Sequence, residues 1–315
     1  MGLIALPSMR SRGYDNQIAM GVILAGGVLG IIIPPSIPMV ILSQYSRNIS
    51  VGKLFFGGVI PGILCAIIYS IYVAVRCAIN PNLCPAIPKE ERPSWRKKLE
   101  CLGAVLPPAL LIVAVLGSIY AGLATPVEAA GLGAGCSIII ALFRGRLTMN
   151  ILNESLRKTL KLIGMILWIL SAAAILNTVL NVMGVNKLLA SAAAQLPGGA
   201  VTVMILMMVL NFVLGALMDD YAVITLTAPI YLPLVEAMGV DPLWFCLIFM
   251  LNLQMAYLTP PYGFNLFFLK SIVPKDVAVT QIYKAALPFI ALQIVALIIC
   301  WIFPPLITWL PTKLI

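Results

Sequence analysis

Two proline pairs, Pro34-Pro35 and Pro260-Pro261, mark the places in this chain where the backbone itself could do chemistry. Each pair interrupts an apolar stretch, and proline has no amide hydrogen with which to continue a helix. Carbonyl groups that lose their helical partners inside a membrane are tolerated only where they line a cavity or meet an ion. The pairs therefore predict binding sites for a hard cation, with structural kinks or small-residue packing surfaces as the alternative.

Polar side chains are few near the proline pairs, and four of them are candidate solute contacts. Ser36 follows the first pair, while Asn252 and Asn265 flank the second. Asp219 lies at a polar vertex between two apolar limbs. Polar groups at such depth usually face the interior of a helix bundle. The asparagines could bond a solute or satisfy broken-helix carbonyls, and Asp219 could instead lie at a solvated hairpin tip.

Enzymatic chemistry has little support in the sequence. Histidine, the commonest general base and metal ligand, is absent. The 7 cysteines have no metal-binding or redox spacing. No paired acidic residues lie in the middle of an apolar stretch. We therefore predict a protein that is not an enzyme, with no catalytic residues and no organic cofactor.

Composition predicts an all-α integral membrane protein. Of the 315 residues, 62% are hydrophobic and only 10% are charged, which is more apolar than a soluble core and surface would use. A bilayer crossing needs about 20 apolar residues, so the chain has room for about eight to ten crossings or hairpins. The net charge of +9 is better explained by cytoplasmic loops than by a nucleic-acid partner. A lipid bilayer is the expected surrounding.

The apolar stretches divide a single membrane domain, residues 1–315, into three parts. These are a first repeat unit, a set of connecting or scaffold helices, and a second repeat unit, over residues 1–79, 80–200 and 201–315. The first unit contains a broken helix interrupted at 33–38. The second contains a re-entrant hairpin over 201–233, whose limbs are too short for full spans, and a broken helix over 242–269.

The two units are related by an internal repeat. Displacing the chain by 226 positions places Pro34-Pro35 on Pro260-Pro261 and Asp15 on Asp241. Counting crossings from the basic clusters, which the positive-inside rule assigns to the cytoplasm, makes the repeats inverted. Inverted repeats with broken helices predict a secondary transporter whose site lies near the bilayer midplane. The hairpin has no counterpart before Leu6-Pro7, so we expect a chain truncated at its N-terminus.

Four motifs of the sequence point to one family. They are GGVLGIIIPPS (26–36), TPVEAA (125–130), LGALMD (214–219) and LTPPYGFNLF (258–267). Together they resemble the large membrane subunit of tripartite ATP-independent periplasmic (TRAP) transporters, over essentially the whole chain. The resemblance implies an elevator-type, sodium-driven importer of small organic acids in the bacterial inner membrane. It also implies two partners, a small membrane subunit and a periplasmic solute-binding protein.

The resemblance also implies sodium ligands, mostly backbone carbonyls, at seven positions. These are Gly30, Ile33 and Pro35 in the first unit and Gly215, Ala256, Thr259 and Tyr262 in the second. Sodium is then a coupling ion rather than a cofactor. Position 256 is commonly glycine in the family and is alanine here, while position 254, often glutamate, is Gln254. A carbonyl ligand survives the first change if the backbone geometry is kept.

Two other functions stay open from the sequence. One is a stand-alone ion-coupled carboxylate carrier of similar broken-helix architecture. The other is a truncated transporter fragment without function. Co-purification with two partner subunits would distinguish a binding-protein-dependent importer from a stand-alone carrier. Sodium-dependent uptake would distinguish a working transporter from a fragment without function.

Overall fold

The structure is a computed structural model of the chain. It describes residues 2–46, 49–86, 94–185, 188, 191, 196–261, 263–274 and 277–314, without the side chains of residues 100, 101, 104 and 181. Every regular element over these residues is helical. Six of the described helices are long and apolar enough to cross a membrane. The prediction of an all-α integral membrane protein is thus confirmed.

The α-helices with described bounds are numbered here in chain order. They are α1 (Gly2–Ser11), α2 (Asn16–Ile32), α3 (Ile37–Ser43), α4 (Val51–Ile79), α5 (Trp95–Tyr120), α6 (Pro126–Phe143), α7 (Met149–Val182), α8 (Gly199–Leu217), α9 (Asp220–Ala237), α10 (Pro242–Ala256), α11 (Phe264–Ile272), α12 (Val279–Ile302) and α13 (Pro305–Leu314). They fall into two compact units, residues 1–86 with 172–315, and residues 87–171. Both proline pairs belong to the first unit.

Two helices of the first unit are broken at the proline pairs, as the sequence predicts. Helices α2 and α3 are the halves of the first, and α10 and α11 are the halves of the second. Both proline-proline peptide bonds, Pro34-Pro35 and Pro260-Pro261, are cis. Helices α8 and α9 form the hairpin, which covers residues 199–237 rather than 201–233. Helix α9 therefore contains Pro233, a residue that the sequence analysis placed at the end of the hairpin. Helix α8 is by itself long and apolar enough to cross a membrane, so the prediction that both limbs are too short is wrong for α8.

The second unit holds α5, α6 and the first part of α7. Helix α6 begins with a capping box in which Thr125 and Glu128 satisfy each other's backbone amides, and Pro126 follows the cap. Helix α7 begins at Met149, before the apolar stretch that starts at residue 162. Its additional turns carry an ion pair between Lys158 and Glu154 at 2.7 Å. Such a pair, four residues apart on one exposed face, stabilises a helix in this polar segment, which an apolar pattern alone would not predict to be helical.

Equivalent residues end and begin the helices of the two predicted repeats. Helix α1 ends at Ser11 and α9 ends at Ala237, which are 226 positions apart. Gly13 and Gly239 follow them, with φ of 76° and 71°. This left-handed conformation suits glycine, because a Cβ would be strained there. Asp15 and Asp241 then cap α2 and α10, each accepting a bond of 2.9 Å from the amide two residues on.

The two broken helices begin near opposite ends of α4. The amide of Asp15, at the start of α2, donates to Leu83 O at 2.9 Å, just beyond the C-terminal end of α4. Asp241, at the start of α10, lines a cavity with Ile49 and Lys53 at the N-terminal end of α4. Helix α4 has 29 residues and is therefore about 43 Å long. Helices α2 and α10 thus start about one membrane thickness apart.

Glycines on α4 allow the first break to approach closely. A Cβ at Gly58 would lie 2.4 Å from Ile32 O and 2.8 Å from Met39 Cε. A Cβ at Gly62 would lie 2.5 Å from Ile33 Cγ1. Real Cβ atoms do not make contacts this short, so only glycine fits these positions. Helix α4 therefore holds the break by direct backbone packing.

Short helices lie near both ends of the described chain. The Pro-rich tail is a helix, α13, which packs on α4 and buries Ile307 and Pro311. The segment before Gly13 is also helical, as α1. Each of these helices contains an internal proline, Pro7 in α1 and Pro311 in α13, and prolines reduce helix propensity in a sequence. Tertiary packing overrides that local preference.

Candidate functional site

The first break leaves two carbonyls of α2 without helical donors. The residues four positions after Gly30 and Ile31 are Pro34 and Pro35, which have no amide hydrogen. Ser36 replaces one of the lost bonds, since its hydroxyl donates to Ile31 O at 2.6 Å. The Gly30 carbonyl has no such replacement, because the amide of Ile33 donates to Leu29 O instead. Gly30 O is therefore a carbonyl of the first break for which the described residues show no replacement donor, and its role as a cation ligand stays a prediction.

Ser36 has a structural role at this break. Its side chain is 2% exposed, and its oxygen also caps α3 through the Met39 amide at 3.5 Å. A buried hydroxyl already bonded in this way has little capacity left for a solute. Its predicted solute contact stays a prediction.

Ser36→Ala is expected to destabilise the protein by about 1–2 kcal/mol, because it removes an N-cap and leaves the buried Ile31 carbonyl without a donor. The measurement is thermal unfolding of the purified protein in detergent. Ser70→Ala is the matched control, since Ser70 donates to Ala66 O at 2.7 Å inside the continuous helix α4. An equal loss for both variants would contradict the special role of Ser36.

The other predicted ligands of the first break lie on its open side. Gly30, Ile33 and Pro35 are all exposed, Ile33 at 36%. A Cβ at Gly30 would meet no described atom within 4 Å. These three residues are therefore accessible at the break, although part of the Ile33 side chain packs against Gly62 of α4.

The second break repeats the arrangement in α10. Pro260 and Pro261 occupy the positions four residues after Ala256 and Tyr257. The Tyr257 carbonyl cannot form a tighter bond to the amide three residues later either, because that residue is Pro260, which has no amide hydrogen. Ala256 O keeps one bond, from the Thr259 amide at 3.0 Å. Carbonyl oxygens freed in this way suit a hard cation.

Thr259 uses its side chain locally. Its hydroxyl donates to Met255 O at 3.0 Å, so it does not point freely away from α10. The hydroxyl oxygen still has a lone pair with which to accept or ligate. Tyr262 lies outside the described residues, and its predicted role is neither supported nor opposed by the structure.

The α8–α9 hairpin docks onto the end of α10. A Cβ at Gly215 would lie 2.8 Å from both Ala256 Cβ and Leu253 Cδ1, so the two helices are in close contact there. The amide of Asp220, at the hairpin tip, donates to the Tyr257 hydroxyl at 2.5 Å. Three predicted ligands, Gly215, Ala256 and Thr259, therefore lie in one corner, formed by the hairpin tip and the second break. We call it the hairpin corner.

Gly215→Ala is expected to destabilise this corner by about 1–3 kcal/mol through overpacking. The double variant Gly215→Ala/Ala256→Gly should recover most of the loss, because the methyl group moves from one helix to the other. Melting temperatures of the three proteins give the measurement. A Gly215→Ala protein as stable as the wild type would contradict the close contact.

Asp219 and Asn252 are both engaged with neighbouring groups. Asp219 is half-buried and caps α9 by accepting from the Ala222 amide at 2.7 Å. Asn252 is 4% exposed, and its oxygen accepts from Asn211 Nδ2 at 2.9 Å. Asn252 also lines a cavity of about 400 Å³ whose other lining side chains are apolar. An apolar cavity of this kind is not suited to a small carboxylate.

Asn265 connects the two broken helices. Its amide nitrogen, on α11, donates to Leu24 O of α2 at 3.0 Å, across 241 positions of sequence. A Cβ at Gly27 would lie 2.8 Å from the same nitrogen. Gly27 thus leaves the space that the Asn265 side chain occupies. Asn265 is the predicted solute residue that the structure places between the helices α2 and α11.

Sequence reasoning missed three polar partners of these residues. Asn211 on α8 is fully buried and bonds Asn252, and its own oxygen has no partner among the described residues. Gln293 on α12 accepts from Gln254 Nε2 at 3.3 Å and from the Tyr69 hydroxyl on α4. A lone amide within an apolar helix is a usable signal for Asn211 and Gln293. Nothing in the sequence distinguishes Tyr69 from other interfacial tyrosines.

Interrupted helices and a docked hairpin within an all-helical membrane protein define a class, that of polytopic membrane proteins with non-helical backbone at membrane depth. The family model of the DctM component of tripartite ATP-independent periplasmic transporters matches residues 1–306. The chain therefore belongs to the DctM family of TRAP transporter large permeases.

Individual relatives agree with this assignment. The chain is 32% identical, over 335 residues, to the C4-dicarboxylate TRAP transporter large permease of Vibrio cholerae, covering 100% of this chain and 72% of that protein. It is 33% identical, over 318 residues, to the corresponding protein of Pseudomonas aeruginosa, with the same coverage. It is 29% identical, over 322 residues, to the sialic acid TRAP transporter permease of Haemophilus influenzae, covering 100% of this chain and 50% of that protein. These relatives are transport permeases, which is consistent with a protein that is not an enzyme.

Proposed function

We propose that this chain is the translocating subunit of a sodium-coupled, binding-protein-dependent secondary importer of small organic acids. The observation that carries the proposal is the pair of proline breaks in the first unit, bridged by the bond from Asn265 to Leu24 O. Each break frees carbonyls that need a ligand, and the bond joins the two helices that carry the breaks.

An inverted repeat and an elevator-type mechanism are part of the proposal. The equivalent helix ends and caps around Asp15 and Asp241 support the repeat. The start of α2 and α10 near opposite ends of α4 supports the inversion. Inverted units with broken helices suit alternating access, because the same site can face either side after a rigid-body movement.

The coupling ion is proposed to be sodium because of the ligand chemistry. The freed groups at Gly30, Ala256 and Tyr257 are neutral carbonyl oxygens, to which Thr259 adds a hydroxyl oxygen. Unwound backbone carbonyls and half-helix C-terminal ends are the groups that coordinate sodium in transporters of this kind. The ion is a transported co-substrate of the protein rather than a resident cofactor.

The solute class is proposed from the relatives. Their names give C4-dicarboxylates, isethionate, sialic acid and ectoine, and the first three carry a net negative charge at neutral pH. A small membrane subunit and a periplasmic solute-binding protein are the proposed partners, and the bacterial inner membrane is the proposed location. Solute selection is then shared with the binding protein.

The test is uptake into proteoliposomes that contain the permease, its small subunit and its binding protein. Radiolabelled succinate, sialic acid and isethionate are supplied with an inward sodium gradient or with choline in its place. We expect uptake of at least one acid that needs both sodium and the binding protein. Uptake without the binding protein would instead identify a stand-alone carrier, and uptake unaffected by choline replacement would reject sodium coupling.

A further inference from the structure

A carboxylate is buried at the hairpin corner and is not used by the function proposed above. The side chain of Asp220 is 8% exposed, at the first residue of α9. One of its oxygens accepts from the neighbouring Tyr221 amide at 3.0 Å, and its own amide donates to Tyr257 on α10. The carboxylate, which is also hydrogen-bonded to the Tyr257 side chain, therefore lies beside the C-terminal end of α10.

This carboxylate has no positive partner among the described residues. No described lysine or arginine makes an ion pair with Asp220, and a second acidic residue, Asp219, precedes it. Burying an unpaired carboxylate costs several kcal/mol even after the protein relaxes. The N-terminus of α9 offsets about 0.3–2 kcal/mol of that cost, which is only part of it. A negative charge is left to be balanced.

The surrounding groups also carry negative potential. Helices α8 and α10 both end at this corner, at Leu217 and Ala256, and helix C-termini carry a partial negative charge. The carbonyls of Ala256 and Tyr257 have lost their helical donors to Pro260 and Pro261. A buried carboxylate, two helix C-termini and freed carbonyl oxygens together form an environment for a hard cation.

We propose that the Asp220 carboxylate is the charge partner of a monovalent cation bound at the hairpin corner. The proposal rests on the sodium coupling proposed above and adds to it the source of the balancing charge. One buried carboxylate among neutral oxygens matches one positive charge, whereas the Asp219 side chain is only half-buried and accepts from the Ala222 amide as the cap of α9.

The position of the carboxylate gives the cation a mechanical role. Asp220 belongs to the hairpin, whereas the freed carbonyls belong to the broken helix. A cation between them attracts both elements, so its occupancy favours a hairpin that is closed on α10. Without the cation, the carboxylate and the helix C-termini repel one another across the corner. Sodium binding and closure of the hairpin are then linked.

The experiment measures binding of ²²Na⁺ to the purified full-length permease with its small subunit, by scintillation proximity, without any solute. We expect Asp220→Asn to weaken binding at one class of site by about tenfold or more. Asp220→Glu keeps the charge and should stay within about threefold of the wild type. Asp241→Asn is the matched control, because asparagine retains the cap of α10 and the change removes the same charge at the start of that helix.

The outcomes separate this inference from the proposed function. Equal ²²Na⁺ affinity and stoichiometry for wild type and Asp220→Asn would overturn the inference and leave sodium coupling intact. Absence of ²²Na⁺ binding by the wild type would overturn sodium coupling, and the inference with it. A matching loss in Asp241→Asn would show a general charge effect and would also overturn the role of Asp220.

A second measurement needs no variant and covers the case in which Asp220→Asn does not fold. Dicyclohexylcarbodiimide adds to buried carboxyl groups, and mass spectrometry quantifies the modified Asp220 peptide. We expect sodium to slow this labelling by about tenfold or more relative to choline, because a bound cation stabilises the unreactive carboxylate. Identical labelling rates in sodium and choline would contradict the proposal.

Discussion

Gly58→Ala is expected to destabilise the protein by about 2 kcal/mol or more and to reduce transport severely. The new Cβ would lie 2.4 Å from Ile32 O and 2.8 Å from Met39 Cε. These atoms belong to α2 and α3, so α4 would be pushed away from both halves of the first broken helix. The carbonyl belongs to the backbone and cannot turn aside as a flexible side chain can, so the overpacking cost is at the upper end of the usual range. Thermal unfolding and proteoliposome uptake give the two measurements.

The control for Gly58 is Gly164→Ala. Gly164 lies inside α7, and a Cβ there would meet no described atom within 4 Å. Alanine is the better helix former by about 1 kcal/mol, so this variant should be neutral or slightly stabilising. If Gly58→Ala and Gly164→Ala have the same effect on thermal unfolding and uptake, the close approach of α4 to the first break does not explain the effect at Gly58.

Gly27→Ala is expected to reduce the rate of transport by about tenfold, because it removes the contact between Asn265 and α2. A contact worth about 1.4 kcal/mol corresponds to a factor of ten. The added methyl group would lie 2.8 Å from Asn265 Nδ2 and displace the amide that bridges the two broken helices. Uptake into proteoliposomes is the measurement. Gly26→Ala is the adjacent control, since a Cβ at Gly26 would meet no described atom within 4 Å.

A double-mutant cycle with Asn265→Ala tests whether the two residues act through one contact. If Gly27 serves only to admit the Asn265 amide, the double variant should be no worse than the worse single variant. Independent, additive losses would mean that Gly27 acts elsewhere, and the bridge between the breaks would lose its support. The Asn265→Ala protein alone should remain folded, because Asn265 is only half-buried.

Local features of the broken helices could be predicted from the sequence. The interruptions at Pro34-Pro35 and Pro260-Pro261 and the cap at Thr125 all follow from the covalent structure of the residues concerned. Proline lacks a donor wherever it is placed, and a hydroxyl next to a helix start caps it without help from distant residues.

Other parts of the candidate site could not be predicted, for reasons that differ between residues. Ser36 beside a break was an expected solute contact, yet its hydroxyl satisfies Ile31 O, a choice that depends on the exact path of the break. Asn252 was ambiguous because its partner, Asn211, lies 41 positions away. Asp219 and Asp220 are adjacent aspartates that the sequence does not distinguish. Only packing against α10 decides which of the two is buried.

By itself the sequence determined that lipid surrounds the protein, where its helices break and which family it resembles. Those properties depend on composition, on the covalent chemistry of proline and on short motifs. Only the tertiary structure decided which carbonyls keep a donor, that α4 meets the first break through Gly58, and that Asn265 reaches α2. These contacts join residues far apart in the chain, and their energies depend on distances of a few tenths of an ångström that no local pattern encodes.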